Sequence, residues 1–229
     1  MLEKKLKLAS RELKKNNFSK AEKLYVECLS INRNLPEVHN ILGNIKLNSG
    51  NLIESINYLK EAIKLKPNFS GAFCNLGLAY KKSNNEKLAL ENYFKSINLN
   101  PRNFKALFNL ATYYKEKNDI KNAEIYFLKT IDVAPNLIEA YNNLFELYDS
   151  SNQIDKIYIF LNKIRINLGE IPLYNYYLGI YEFRKKNYQK TIDVLETLKL
   201  SEKDYNRNII KCGILAKCFD SIREYKKAF

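Results

Sequence analysis

Between residues 70 and 103 the apolar and small side chains fall into two runs at helical spacing. Phe73, Leu76, Gly77 and Tyr80 lie on the first, Ala89 and Tyr93 on the second, and Pro101 closes the segment. Each run predicts a helix with one buried face. The plan recurs on both sides, because proline stands at 67, 101 and 135, a period of 34 residues. Laid along the chain, the period marks units 2–35, 36–69, 70–103, 104–137, 138–171 and 172–205. The first carries Leu8, Ala9, Phe18, Ala21 and Tyr25 on its buried faces. A partial seventh unit, 209–229, fits through Cys212, Leu215, Ala216, Phe219, Tyr225 and Ala228 if Asn206 to Asn208 are an insertion, and it ends inside its second helix. The expected architecture is all-α, a single domain over 1–229 made of antiparallel helix pairs, each an A helix followed by a B helix.

The polar positions predict how the pairs are joined. Asn16-Asn17, Asn48 to Asn51, Ser83 to Asn85 and Asn118-Asp119 form the turns from A to B, since Asn and Gly accept the left-handed conformation that ends a helix. The prolines end the B helices, and Asn68, Asn103 and Asn136 are placed to cap the A helices that follow. Gly43, Gly77, Ala111 and Gly179 fall where A meets B, opposite Ser55, Ala89 and Ala123, so the axes can approach to about 8 Å. The fifth unit breaks this rule: Phe145 takes the small-residue place and Ile157 and Ile164 replace the small residues of the B helix. Its helices are expected to stand further apart than those of 70–137, or its superhelical step to change.

Aromatic-x2-Leu-Gly-x2-Tyr, then Ala-x3-aromatic, then Pro, as in Phe73 to Pro101, is the spacing of the tetratricopeptide repeat, and the chain resembles that family over essentially its whole length. The resemblance implies a right-handed solenoid of six repeats plus a partial seventh, with the A helices lining a concave groove through positions 2, 5, 6, 9, 12 and 13 of each unit. Position 6 is Asn75, Asn109 and Asn143 in three successive units. A row of amides, each able to give and take hydrogen bonds with a peptide unit, suits an extended chain of any sequence. This groove resembles the repeat array of O-linked N-acetylglucosamine transferase. The family's carboxylate clamp maps onto Asn40, Asn44, Asn75, Lys105 and Asn109, with two cationic places taken by amides. In the sixth unit the concave set turns apolar, with Leu173, Tyr176, Tyr177, Ile180 and Phe183 joined by Ile210 and Ile214 of the seventh. Such a patch is expected either to rotate into the core or to be covered by a partner or by more of the chain.

Composition alters this picture in few places. The formal charge of +13 is read either as the mark of an anionic partner or as the product of a Lys-, Asn- and Ile-heavy vocabulary spread over every segment, the second being favoured. Along the groove, Lys7, Lys14, Lys81, Lys82, Lys105 and Lys115 are interspersed with Glu3, Glu37 and Glu116, and Glu139, Glu146 and Asp149 follow. No continuous cationic track for a phosphate backbone results, which makes nucleic acid the weaker reading. The four cysteines form no CxxC pair and read as core thiols, and the one histidine, His39, stands in an aromatic place. No metal or cofactor is implied, and no catalytic set or phosphate-cradling glycine loop occurs, so the chain is not read as an enzyme. The absence of an apolar leader or an 18-residue apolar run makes the cytoplasm the expected location.

The leading expectation is a protein-interaction scaffold that holds an extended peptide or protein segment in its groove. The alternative is the substrate-presenting arm of a larger bacterial enzyme, a glycosyltransferase or sulfotransferase, with a C-terminal domain of the same chain as partner. Ile222, Tyr225, Ala228 and Phe229 read as the opening of a B helix without a stop signal, so this end is expected to continue or to be covered by another subunit.

Overall fold

A computed structural model describes residues 1–169 and 171–228, without the side chains of residues 203 and 224–228. The described residues are helical, with no strand among them. They fall into two compact units, Met1–Lys117 and Asn118–Phe229. The first holds α1 (Leu2–Lys14), α2 (Phe18–Ile31), α3 (Pro36–Asn48), α4 (Leu52–Leu65), α5 (Ser70–Lys82), α6 (Glu86–Leu99) and α7 (Phe104–Glu116). The second holds α8 (Ile120–Val133), α9 (Ile138–Ser150), α10 (Ile154–Leu168), α11 (Pro172–Arg184), α12 (Tyr188–Glu196) and α13 (Tyr205–Ala228), with one 3-10 turn at Glu202–Asp204.

Six A-to-B turns recur at the 34-residue period, each closed by one left-handed residue. Asn16, Asn84, Asn118 and Asn152 have φ of 61°, 59°, 57° and 54°, and Gly50 has 82°. Lys186 holds the sixth place at φ 61°, where its Cβ crowds the backbone as an asparagine's would, but without the short polar side chain that can bond locally. Capping follows the register more strictly than composition suggests. Asn103 directly precedes α7 and accepts from the Ala106 amide, whereas Asn68 and Asn136 stand one residue too early, and Phe69 and Leu137 occupy the caps of α5 and α9 without side-chain bonds. The Asn103 amide also donates to the hydroxyls of Ser70 and Ser96, both at 2.9 Å, tying successive pairs together.

The small residues do make the helices meet. A Cβ built on Gly77 would lie 2.7 Å from two ring carbons of Tyr93 and 3.1 Å from the Ala89 carbonyl oxygen; on Gly43 it would lie 2.6 Å from Leu59. The Ser55 hydroxyl closes the second pair by donating to the Gly43 carbonyl at 2.7 Å. In the fifth pair Phe145, Ile157 and Ile164 are buried, and the α9 and α10 backbones stand further apart than those of α5 and α6. Rings fill the extra space. Phe160 of α10 meets Tyr141, Phe145 and Tyr148 of α9 with centroids 6.1, 6.1 and 6.2 Å away, distances at which tilted and edge-on aromatic pairs attract.

The end of the chain departs from the expected plan. The seventh unit does not turn back into a second helix; α13 runs unbroken for 24 residues. With the three-residue insertion counted, the place of the left-handed residue falls on Arg223, which is helical here. The side chains of Tyr225 and Ala228, and all of Phe229, lie outside the described residues. The outer face of α13 exposes Tyr205, Ile209 and Phe219, and Cys212 is exposed beside them, so only Cys28, Cys74 and Cys218 are the core thiols expected.

Closeness at the small-residue position gives a direct test. Gly77→Ala should lower stability by about 1–3 kcal/mol, because a fully buried Tyr93 ring and a backbone carbonyl must yield. Gly213→Ala on α13, whose new Cβ meets nothing within 4 Å, should instead raise it by about 0.5–1 kcal/mol. Urea unfolding midpoints at unchanged m-value report both.

Candidate functional site

Neighbouring A helices touch through one rule. A residue at the fifth place of one unit meets the residue at the sixth place of the next, 35 positions later. In the first unit the Asn75 amide donates to Asn40 Oδ1 at 2.9 Å, and the Asn109 amide lies 3.8 Å from Cys74 Sγ. In the second, the Tyr177 hydroxyl donates to Asn142 Oδ1 at 2.5 Å. Two helical turns further along, the same rule joins opposite charges: Lys81 to Glu116 at 2.8 Å, and Arg184 to both oxygens of Asp149 at 2.8 and 2.9 Å. The seven-residue offset between the two rows keeps them on one helix face.

On α3, α5 and α7 this rule gathers the sequence-derived binding residues. Asn40, Asn75 and Asn109 are half-buried, while Asn44 and Lys105 are exposed. Burial pushes the Cys74 thiol up to about 12, partly opposed by the nearby charge of Lys105, so it stays protonated at neutral pH and serves as a weak acceptor rather than a nucleophile. Asn143 belongs to the second unit, where its amide donates to the Glu139 carbonyl one turn back at 2.8 Å.

The aromatic residues of the sixth unit have not stayed open: Tyr177 packs on Phe145 and Phe160, and Phe183 meets Tyr188 of α12. Tyr176, Tyr177 and Ile180 are buried and Phe183 half-buried, with the first half of α13 beside them. Between α9, α11 and α13 remains a cavity of about 510 Å³, walled by Phe145, Tyr176, Ile180 and Phe183 on one side and Ile210 and Ile214 on the other. Phe145 stacks on Tyr177 with centroids 4.1 Å apart. At one end Asn142 Oδ1 accepts from both Tyr177 and Arg207, the latter at 2.9 Å; Arg207 also pairs with Asp204 at 2.6 Å and stands over the Tyr176 ring at 5.7 Å. Burial pushes both phenols up, with Arg207 pulling the other way, so they remain neutral hydrogen-bond donors.

Two members of this site were not readable as such. Arg207 lies within the stretch Asn206 to Asn208 that the period makes an insertion, and Asn142 sits beside the amide row rather than in it. The 35-residue pairing is the signal that finds Asn142; only the tertiary course of α13 finds Arg207. Among the described residues no group of His, Cys, Asp and Glu is arranged to hold a metal ion, and no helix is long and apolar enough to cross a membrane.

Comparison with known proteins agrees with this geometry. A family model described as a TPR repeat matches residues 43–84, and two described as tetratricopeptide repeats match 70–103 and 92–125. No curated protein matches the chain in sequence. Among solved structures, the C-terminal part of a TPR repeat-containing protein from Cytophaga hutchinsonii superposes with a TM-score of 0.74 at 15% identity, covering 97% of this chain and 91% of that one. The crystal structure of MamA protein gives 0.58 at 22% identity, covering 72% and 91%. At these identities the similarity is one of fold.

The shared acceptor predicts coupling within the second unit. Asn142→Ala and Tyr177→Phe should each destabilise it, and together by less than the sum, with a coupling of about 0.5–1.5 kcal/mol in a double-mutant cycle of unfolding free energies. Strict additivity would mean that the bond contributes nothing.

Proposed function

From the fact that this chain is a tetratricopeptide-repeat protein, we propose that it is an interaction scaffold that holds an extended peptide segment along the A-helix face of α3, α5 and α7. The observation that carries this reading is the contact of amides from successive helices, Asn75 on Asn40 and Asn109 on Cys74, beside the exposed Asn44 and Lys105. Each amide offers two donors and two lone pairs. The Asn40–Asn75 contact engages one donor and one lone pair, and leaves capacity for the N–H and C=O groups of a bound chain. Helices about 10 Å apart match about three residues of extended peptide at about 3.3 Å each, so successive contacts fall in step with a strand. Asn143 supplies the same chemistry in the second unit.

Charge favours peptide over nucleic acid on this face. Lys81 is paired with Glu116 and Lys7 with Glu3, each at 2.8 Å. Cations already neutralised release few counterions from a phosphate backbone.

Peptides selected from a random display library against the purified chain test the proposal. The affinity of a selected peptide should fall about ten-fold in the Asn75→Ala, Asn109→Ala double variant, the loss of one or two hydrogen bonds, and stay unchanged in Lys60→Ala on the exposed side of α4. Equal affinity in the double variant, or a loss confined to Lys60→Ala, would sink the reading.

A further inference from the structure

One side of α13 packs into the fold through Cys218, which is fully buried, while its other side carries a second apolar pattern that faces outward. Tyr205, Ile209, Cys212, Ala216 and Phe219 recur at intervals of four, three, four and three residues, the repeat by which one helix lies along another. All five are exposed, Tyr205, Ile209 and Phe219 at 69%, 53% and 50%. Gly213 stands beside this seam, and a Cβ built on it would meet nothing within 4 Å. A glycine inside a helix costs about 1 kcal/mol relative to alanine. Packing within the chain gives no reason for that cost, whereas a helix approaching from outside does.

The distribution of size and charge along the seam says what approaches. Cys212 lies seven residues from Tyr205 and seven from Phe219, and the exposed Glu202 and Arg223 flank the seam with opposite signs. A second copy of the chain, laid antiparallel with its two-fold axis beside Cys212, sets each Glu202 against Arg223 of the partner subunit and each Tyr205 against Phe219 of the partner subunit. A parallel copy would instead bring each charge against its own kind, which is unfavourable. Crossing helices are closest at the crossing point and diverge from it. The small Cys212, Gly213 and Ala216 then stand at the axis, where the backbones approach to about 8 Å, and the two rings fill the widening gap at either end. Symmetry repeats every such match, so one complementary half-seam completes the contact.

We propose that this face of α13 is a self-association surface that joins two copies of the chain antiparallel about a two-fold axis at Cys212. The proposal is independent of peptide binding on the amide face. A single helix pair falls at the small end of specific interfaces, below about 1,200 Å². The charge of +13 on each copy also opposes approach, although at physiological salt a screening length of about 8 Å confines that repulsion to near neighbours. The dimer is therefore a weak one, with a Kd of about 10 µM.

Sedimentation velocity on the full chain, from about 1 to about 200 µM at physiological salt, should show a reversible shift from monomer to dimer. Ala216→Glu, an exposed change checked for intact fold by circular dichroism, should abolish the shift over this range. Gly213→Leu adds apolar surface yet should weaken the dimer about ten-fold, because it blocks close approach. Glu202→Arg and Arg223→Glu should each weaken it about ten-fold, and the two together on one chain should restore it to within about three-fold. Cys212 is the exposed thiol where Cys28, Cys74 and Cys218 are buried, so a short bismaleimide should link the copies through it, and Cys212→Ser should remove the linked product. A monomer at every concentration, a dimer undisturbed by Ala216→Glu, or one strengthened by Gly213→Leu would overturn the proposal. So would a double charge reversal as weak as the single ones, or a cross-link that is absent or survives Cys212→Ser.

Discussion

What each helix pair can present depends on how closely its A helix approaches its B helix, and one side chain per pair sets that distance. At Gly77 the ring of Tyr93 lies where a Cβ would be, and at Gly43 the side chain of Leu59 does. With the pair drawn together, the large residues of the A helix are free to pack against the neighbouring pair, and the fifth and sixth places meet across the gap. In the fifth pair Phe145 forbids that approach, and the space between α9 and α10 fills with rings around Phe160. The consequence reaches the next A helix, because the ring of Phe145 then also stacks on Tyr177.

The two compact units thus apply one pairing rule with different side chains. In Met1–Lys117 the rule joins an amide to an amide and an amide to a thiol, with Lys81 paired to Glu116 two turns on. In Asn118–Phe229 it joins a phenol to an amide, Arg207 completes the group, and the surface beside it is aromatic.

Much of this was legible from residue spacing, and the exceptions share a cause. The helix pairs, the left-handed turn residues and the wider fifth pair follow from local rules applied at a fixed period. The caps at Asn68 and Asn136 failed because capping geometry tolerates no shift of one residue, and composition alone does not carry that register. The second helix of a seventh unit failed because apolar periodicity does not distinguish one long helix from two, and Arg223 at the turn place is no better marked than Lys186, which does turn. The amide row was visible as identity at one position, but the partners of its members lie at a different place of the preceding unit. The cavity could not be read at all, since it depends on where α13 lies and on the size of a ring in another pair.

The proposed working surface is the A-helix face of α3, α5 and α7. The side-chain amide resonances of Asn40, Asn75 and Asn109 report on it directly, since each carries its own N–H pair. On titration with a display-selected peptide, these three should shift together and saturate in step with binding, while the side-chain amides of Asn57 and Asn98, on α4 and α6, stay fixed. Binding that moves Asn57 and Asn98 and leaves Asn40, Asn75 and Asn109 in place would contradict the account.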